Sequence, residues 1–291
     1  MIPQMFEYFA PTTVSEAVSL LRKYKDNAKI LSGGMSLIPM MKLRVLSPQV
    51  IIDINNIKGL NYIKDGGKTV RIGALVRHAD IEHSPIIKEK FPMMADAAPH
   101  IADMQVRNLG TFLGALAHAD PAADWPASVL ALDADLVAQA TAKRVIKATK
   151  FFKGPFETAL KPTELLVEAV LPVPRGEKIG QAYLKFERKA GDYAIVGVAS
   201  LLTLNRDNVI QKAAIALTAV NPFPFRATDA EELLIGQKPS KDLIEQAAKA
   251  AAAMADPSSD LRGSAEYKRE MARVFTRRSL YRALERAGVA L

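Results

Sequence analysis

The sequence predicts an α+β protein in which two small α/β units precede a domain with an antiparallel sheet and helices. Three observations indicate this fold class. Short β-branched strands and helical periodicity alternate near the N-terminus, three long apolar strands follow one another after residue 180, and helical patterns fill the rest of the chain. A chain of 291 residues is long for one core, so we expect two or three domains.

The first unit combines one helix with two short strands. Thr13 and Glu16 have the spacing of a capping box, and apolar residues recur at helical intervals after them, which predicts a helix over residues 12–25. A strand is predicted over residues 28–31, where the glycine pair at 33 and 34 ends it. The β-branched residues 49–54 predict a second, buried strand.

The second unit is predicted to begin after residue 60. An alternating strand over residues 69–74 follows a diglycine turn, and helical patterns cover residues 79–82 and 93–102. Residues 172–176 read Pro-Val-Pro-Arg-Gly, which is the best candidate for a linker between domains.

Beyond the linker, strands come first and helices second, which is typical of an antiparallel sheet in an α+β domain. The predicted strands cover residues 181–188, 195–204 and 210–220, and the predicted helices cover residues 227–235, 240–255 and 264–287. The predicted domains are residues 1–176, with subdomains of about 1–58 and 59–176, and residues 177–291.

The composition excludes several classes of site. The chain has no cysteine, which excludes disulfides, thiolate-bound iron–sulfur clusters, zinc ribbons and cysteine nucleophiles. The four histidines are scattered, so no metal site is expected. The longest apolar stretches have the length of a strand and no secretory signal is visible, so we expect a cytoplasmic protein without a membrane span.

The net charge of +8 raises the question of a nucleic-acid partner. No contiguous basic stripe interleaved with aromatic residues is present, so none is expected. The basic residues between 268 and 286 are predicted to form the solvated face of a helix. An acidic patch on a partner subunit is the alternative contact for that face.

Two glycine-bearing segments stand out as candidate binding loops. The first, residues 32–36, reads Ser-Gly-Gly-Met-Ser directly after a predicted strand. Paired glycines can turn successive main-chain N–H groups towards an anion, although an ordinary turn at a strand end has the same composition.

The second segment, residues 107–124, is crowded with small residues. Gly110, Gly114 and Ala115 would let the backbone approach a ligand closely, and Thr111 offers a hydroxyl group to a phosphate. The alternative is a tight turn between domains that caps a helix beginning near Asp120. Together the two segments predict a clamp around a diphosphate. Neither matches the Rossmann fingerprint or the P-loop, so a dinucleotide held by another fold is favoured.

The sequence resembles the FAD-binding medium subunits of molybdenum hydroxylases, a group that includes aerobic carbon monoxide dehydrogenase and the flavin domain of xanthine dehydrogenase. The resemblance is carried by residues 31–44 (LSGGMSLIPMMKLR), by residues 107–124 and by the opening FEYFAPTT of residues 6–13, and it extends across nearly the whole chain. It implies an FAD-binding domain of the vanillyl-alcohol-oxidase (PCMH) type and a C-terminal domain like that of the carbon monoxide dehydrogenase flavoprotein.

The resemblance implies that both segments enclose the pyrophosphate of FAD, that Asp124 binds the adenosine portion and that Tyr193 lies near the isoalloxazine ring. No catalytic residue and no metal ligand is implied. The implied cofactor-binding residues are Lys29, Leu31, Ser32, Gly33, Gly34, Met35, Ser36, Leu37, Ile101, Ala102, Gly110, Thr111, Gly114, Ala115, Asp120, Asp124, Leu166, Lys185 and Tyr193.

The resemblance also implies a function. A large subunit would hold the molybdenum cofactor, and a small subunit would pass electrons through [2Fe-2S] clusters to FAD in this chain. An external acceptor would then receive the electrons from a heterotrimer or a dimer of heterotrimers.

Three departures from the family's pattern leave alternatives open. Leu113 and Ala115 stand where glycine and a polar residue are usual, and Met35 stands where His or Gln is common. Leu113 and Ala115 favour an alternative in which the chain is an FAD-free bridging subunit of the same kind of complex. A self-contained flavin oxidase is the third candidate, although no catalytic base stands out near the two segments.

Overall fold

The structure is a computed structural model that describes residues 1–291, and it confirms the α+β fold class. The N-terminal unit is a parallel sheet in the order β1-β3-β2, formed by β1 (Glu7–Phe9), β2 (Ala28–Leu31) and β3 (Val50–Asp53). Helices α1 (Val14–Tyr24) and α2 (Leu37–Lys42) lie between successive strands of the chain. The central strand β3 is buried, as its β-branched sequence predicts.

The predicted cap of α1 is confirmed. The Thr13 hydroxyl accepts a hydrogen bond from the Glu16 main-chain N–H at 3.2 Å. The Glu16 carboxylate reaches back to the N–H of Thr12 at 2.9 Å, one residue earlier than the capping box predicts.

The second unit is built on a five-stranded antiparallel sheet in the order β4-β5-β10-β6-β7. The strands of this unit are β4 (Ile63–Asp65), β5 (Thr69–Gly73), β6 (Asp135–Gln139), β7 (Lys143–Lys147), β8 (Phe152–Gly154), β9 (Glu157–Thr158) and β10 (Leu165–Pro172). Only β5 is predicted by the sequence pattern. The central strand β10 escapes prediction because a buried charged residue, Glu168, interrupts its apolar run. The Glu168 carboxylate accepts hydrogen bonds from Arg71 and from the Tyr62 hydroxyl.

Six short helices connect β5 to β6. They are α3 (His78–His83), α4 (Pro85–Lys90), α5 (Pro92–Ala97), α6 (Met104–Leu109), α7 (Phe112–His118) and α8 (Trp125–Ala131). The prediction of one helix over residues 93–102 is wrong at its C-terminal end. Pro99 lacks the N–H that an α-helix needs, so a 3₁₀ turn follows α5, and Ala102 takes a positive φ of 46°.

The C-terminal unit confirms the three predicted strands and adds a short fourth one. Its sheet runs in the order β11-β12-β13-β14. The elements are β11 (Lys178–Phe186), β12 (Val196–Leu204), β13 (Ile210–Thr218), β14 (Phe225–Arg226), α9 (Thr228–Leu234), α10 (Lys241–Ala253) and α11 (Ala265–Arg286).

This C-terminal sheet is buried on both faces. One face contributes residues such as Tyr183 and Leu201 to a core shared with the N-terminal units, where α5 and α8 pack on the sheet. The other face, with Val198 and Leu202, packs against the three C-terminal helices. Burial on both faces explains why β12 is mostly apolar and buried at every position, without the alternation of a half-exposed strand.

The basic face of α11 is partly exposed, as expected, and four of its arginines also form ion pairs within the chain. Arg273 and Arg277 pair with Glu245 of α10, whereas Arg282 and Arg286 pair with Asp96 of α5. The acidic partners therefore lie within the chain itself. None of the helices is both long and apolar enough to cross a membrane.

Candidate cofactor site

The two segments singled out in the sequence meet side by side. The hydroxyl oxygens of Ser32 and Thr111 lie 2.9 Å apart and form a hydrogen bond across 79 positions of the chain. A Cβ atom on Gly33 would overlap the carbonyl oxygen of Leu109 and would lie 2.6 Å from the Cα of Gly110. Position 33 therefore needs a glycine, because one backbone contacts the other directly.

The first segment presents unpaired main-chain donors. The N–H groups of residues 32–37 donate to no acceptor in the chain, and the Ile38 N–H is the first one paired, to the Gly34 carbonyl at 3.0 Å. Gly34 has a φ of +74°, a conformation that favours glycine. The segment is partly open to solvent. Successive unpaired N–H groups next to a hydroxyl group form a concavity suited to an anion.

The second segment is more helical than the sequence indicates. It consists of the end of α6, the pair Gly110 and Thr111, and then α7, so the expectation of an open loop over Gly114 and Ala115 is wrong. The buried Thr111 caps α7, since its hydroxyl accepts a hydrogen bond from the Gly114 N–H at 3.3 Å. The small residues of this segment allow α7 to pack closely. The Thr111 main-chain N–H has no acceptor within the chain.

A polar network that the sequence analysis missed holds the two segments together. Arg77 donates one hydrogen bond to the carbonyl oxygen of Leu109 and another to the side-chain oxygen of Asn55, at 3.0 Å. The amide of Asn55 in turn donates to the carbonyl oxygen of Ser32 at 2.8 Å. The one signal in the sequence is that Asn55 follows a predicted strand, the position where site residues collect in α/β units.

A buried histidine packs against Gly110 of the second segment. The Trp125 indole N–H donates to His78 Nδ1 at 3.0 Å, and the His78 ring fills the space that a Cβ on Gly110 would need. Burial lowers the pKa of His78 to about 4, with help from the positive charges of Arg107 and Arg77. The imidazole is therefore neutral at pH 7. The glycine at 110 makes room for this ring.

Three of the other predicted contacts come together at the junction with the C-terminal unit. The carbonyl oxygens of Ile101 and Ala102 accept hydrogen bonds from Arg107 at 3.1 Å and 3.3 Å. A Cβ on Gly191 would lie 2.6 Å from the Ala102 carbonyl oxygen, so the turn that carries Tyr193 rests on this segment. Partial burial and the nearby Asp120 carboxylate raise the pKa of Tyr193, which is 48% exposed.

Two further predicted contacts are paired with each other. The buried Asp124 carboxylate accepts a hydrogen bond from the Tyr183 hydroxyl at 2.5 Å and lies 3.2 Å from the Lys185 ammonium. The Lys185 side chain is 1% exposed and also donates to the His100 carbonyl oxygen at 2.8 Å. Tyr183 is not among the site residues that the sequence predicts.

The remaining predicted contacts are more scattered. Lys29 is exposed and Leu31 half-buried on β2, Met35 and Ser36 complete the first segment, and Leu37 begins α2. Leu166 lies on β10 in the hydrophobic core. The role of each of these residues in cofactor binding stays a prediction.

The departure at Leu113 does not obstruct the segment. The Leu113 side chain is buried in the core on the inner side of α7, and Ala115 packs partly against the same core. The residues present therefore fit a diphosphate. They provide unpaired N–H donors, two hydroxyl groups and a glycine contact between the segments, with no carboxylate in residues 32–37 to repel an anion.

Comparison with known proteins identifies the same two parts. Residues 4–174 match the FAD binding domain in molybdopterin dehydrogenase, and residues 181–283 match the CO dehydrogenase flavoprotein C-terminal domain. The glyceraldehyde dehydrogenase medium chain of Sulfolobus acidocaldarius is 43% identical over 95% of this chain and 97% of its own length. The carbon monoxide dehydrogenase medium chain of Hydrogenophaga pseudoflava is 42% identical over 99% of this chain and 100% of its own.

Solved structures give the same result. A chain of the carbon monoxide dehydrogenase from Hydrogenophaga pseudoflava superposes with a TM-score of 0.96 at 43% identity, covering 99% of this chain and 100% of that one. A chain of quinoline 2-oxidoreductase from Pseudomonas putida 86 superposes with a TM-score of 0.92 at 30% identity, covering 99% of both. The resemblance found in the sequence is thus confirmed, with FAD as the cofactor of this chain. The chain belongs to the family of FAD-binding medium subunits of molybdenum hydroxylases and is an oxidoreductase subunit.

Proposed function

We propose that this chain relays electrons, receiving them from iron–sulfur clusters on a small partner subunit and passing them through FAD to an external acceptor. A large partner subunit with a molybdenum cofactor would oxidise the substrate, in a heterotrimer or a dimer of heterotrimers. The absence of cysteine supports this division, because thiolate ligands for such clusters must then come from another chain. Bound FAD accepts and releases electrons, while the protein supplies binding, orientation and electrostatics.

The observation that carries the proposal is the row of unpaired N–H groups over residues 32–37, placed against the Ser32–Thr111 contact. We assign the FAD diphosphate to these donors. The other predicted contacts, from Lys29 to Tyr193, would hold the adenosine and flavin ends. We also propose domain bounds at residues 1–176 and 177–291, with subdomains of about 1–58 and 59–176.

The test is the FAD content of the assembled complex, measured from the flavin absorption bands and from FAD released by heat. About one FAD for each copy of this chain is expected. A complex that assembles and holds molybdenum and iron but contains no flavin and takes up none would contradict the relay. It would leave the FAD-free bridging subunit.

The Gly33→Ala variant tests the assignment of the diphosphate. The added Cβ would overlap Leu109 and push the segments apart, so we expect at least a tenfold weaker retention of FAD. Gly67→Ala is the matched control. Gly67 has a φ of +75° but no neighbour within 4 Å, so alanine there costs about 1 kcal/mol of stability and leaves FAD bound. Equal FAD loss in the two variants would show that general destabilisation, and not the clamp, is responsible.

A further inference from the structure

The junction between the N-terminal units and the C-terminal sheet holds a buried group of ionisable side chains. Asp124 lies at the start of α8, Tyr183 and Lys185 lie on β11, Glu187 follows β11, and His100 ends the 3₁₀ turn after α5. These residues face one another from both sides of the junction. Tyr183 has no part in the predicted cofactor contacts.

Tyr183 is held in place from several directions. It is 1% exposed, and its main-chain N–H donates to the Asp96 carboxylate at 3.2 Å. Its hydroxyl occupies space that exists only because position 197 on the neighbouring strand is glycine; a Cβ there would overlap the Tyr183 hydroxyl oxygen. The hydroxyl donates to Asp124 at 2.5 Å. The side chain therefore has one available position and one acceptor.

The hydrogen bond from Tyr183 helps to keep the Asp124 carboxylate ionised next to the Lys185 ammonium. Tyr183 binds one carboxylate oxygen, and the other oxygen lies 3.2 Å from the Lys185 ammonium. Burial raises the pKa of Asp124, whereas the Lys185 ammonium, the bonds from Tyr183 and Lys185 and the charge on His100 act in the opposite direction. Without the hydroxyl, the buried carboxylate loses a donor and takes up a proton more readily.

The charges around Lys185 are unbalanced. Its ammonium lies 3.2 Å from Asp124 and 3.2 Å from Glu187, so two carboxylates share one buried cation. His100 is half-exposed and approaches Glu187 at 3.3 Å. The net charge of the cluster therefore depends on whether Asp124 is ionised.

The cluster adjoins several predicted cofactor contacts, and Asp124 lies close enough to Tyr193, the residue predicted near the isoalloxazine ring, for its charge to raise the pKa of the Tyr193 hydroxyl. The His100 carbonyl that binds Lys185 immediately precedes Ile101 and Ala102, and Gly191, two residues before Tyr193, rests on Ala102. A change of one unit charge within a buried cluster changes the electrostatic potential at its neighbours, because the interior screens charge weakly.

We propose that Tyr183 is a positioning residue for the flavin: by holding Asp124 ionised against Lys185 it fixes the charge at the domain junction and so sets the pH dependence of the flavin potential. The proposal rests on the proposed function, since it needs FAD at this junction. No electron or proton passes through Tyr183. Its hydroxyl acts only through the carboxylate and the ammonium.

The experiment is a spectroelectrochemical titration of the flavin in the assembled complex between pH 5 and pH 9, for wild type and Tyr183→Phe. In the variant Asp124 gains its proton at higher pH, which makes the junction more positive. The inflection of the midpoint potential is expected about one pH unit higher, the size of one charge-assisted hydrogen bond. At pH values between the two inflections the variant potential is the higher one.

Tyr62→Phe is the matched control. Tyr62 also donates to a buried carboxylate at 2.5 Å, and that acid, Glu168, also binds a cation, Arg71. Tyr62 directly precedes β4, Arg71 lies on β5 and Glu168 lies on β10, and no hydrogen bond or ion pair joins this triad to the junction cluster. Its loss should therefore leave the flavin potential curve unchanged. Curves for Tyr183→Phe and wild type that coincide, or that differ by the same amount at every pH, would overturn the proposal. So would an equal shift in Tyr62→Phe.

A second variant, Lys185→Gln, tests the same charge if Tyr183→Phe does not assemble. It retains the bond from Tyr183 to Asp124 and removes the cation, so the flavin potential is expected to fall at pH 9. If the flavin potential is unchanged in Lys185→Gln, the charge of Lys185 does not act on the flavin. Tyr183 could then not act through that charge, and the proposal would be overturned. Failure of the proposed function is recognised separately, because the wild-type complex would then contain no FAD to titrate.

Discussion

Single residues at this site act through the space they leave as well as through the bonds they make. Gly33 lets the two segments touch, Gly110 admits the His78 ring, and Gly197 leaves room for the hydroxyl of Tyr183. In each case the neighbour is backbone or a buried ring that cannot move aside. Small residues are therefore concentrated where the parts of the chain meet.

His78 gives a prediction about pH. Its neutral imidazole is favoured in the folded protein, with a pKa of about 4, whereas an unfolded histidine titrates near 6.5. Below pH 6.5 the unfolded state binds more protons, so this contribution to stability is complete above pH 6.5 and is lost as the pH falls towards 4. The loss amounts to roughly 3 kcal/mol.

Urea unfolding of the protein at several pH values measures this effect, with His78→Gln as the variant. The variant is expected to be less stable at pH 7 and to lose less stability on acidification than the wild type. Parallel curves for the two proteins would show that His78 does not supply the pH dependence.

At the scale of elements, a single side chain joins a helix to a loop. Thr111 caps α7 and at the same time binds Ser32 of the first segment. Helix formation and closure of the site are therefore coupled. Asp103 caps α6 and Thr111 caps α7, which explains why a segment that resembles a loop in sequence folds as two short helices separated by Gly110 and Thr111.

Thr111→Val should uncouple the two. Loss of the cap and of the bond to Ser32 is expected to cost about 1–2 kcal/mol of stability and to weaken FAD retention. Ser240→Ala is the control, because Ser240 caps α10 in the same way in the C-terminal unit. Stability is measured by chemical unfolding and cofactor retention by FAD release. We expect a similar loss of stability in both variants and a loss of FAD in Thr111→Val alone. FAD loss of the same size in Ser240→Ala would contradict the coupling.

At the scale of the whole molecule, the C-terminal sheet is the layer that both cores share. Asp96 of α5 joins the N-terminal units to this sheet. Its carboxylate accepts hydrogen bonds from Arg286 at 2.6 Å and 2.8 Å and from the main-chain N–H of Tyr183. One acidic side chain from the N-terminal units thus contacts both β11 and α11. The predicted cofactor contacts Ile101, Ala102 and Tyr193 lie beside this junction.

Asp96→Ala should loosen the junction without unfolding either core. The expected loss is about 2–3 kcal/mol, because Arg286 and the N–H of Tyr183 are left without their partner. Hydrogen exchange should become faster in α5 and β11. Glu245→Ala, which breaks ion pairs of Arg273 and Arg277 inside the C-terminal unit, should cost less and leave those two elements protected. Unchanged exchange in Asp96→Ala would show that apolar packing alone holds the junction.

The sequence by itself determined the fold class, the long strands, the C-terminal helices and the two glycine-bearing segments. These features depend on local periodicity, capping and turn chemistry, which can be read over a few residues. The strand β10 was missed because Glu168 interrupts its pattern, and only the approach of Arg71 and Tyr62 makes that burial favourable. The fourth strand of the C-terminal sheet has two residues and leaves no pattern.

Only the tertiary structure decided how the site is assembled. It brought Asn55 and Arg77 between the two segments and paired Asp124 with Lys185. It also placed the Tyr183 hydroxyl within hydrogen-bond distance of Asp124. The partners in these contacts lie 22 to 61 positions apart, and each is a polar residue of a common type. Local sequence cannot specify such pairs, because they form only when separate sheets and helices pack and exclude water from the groups between them.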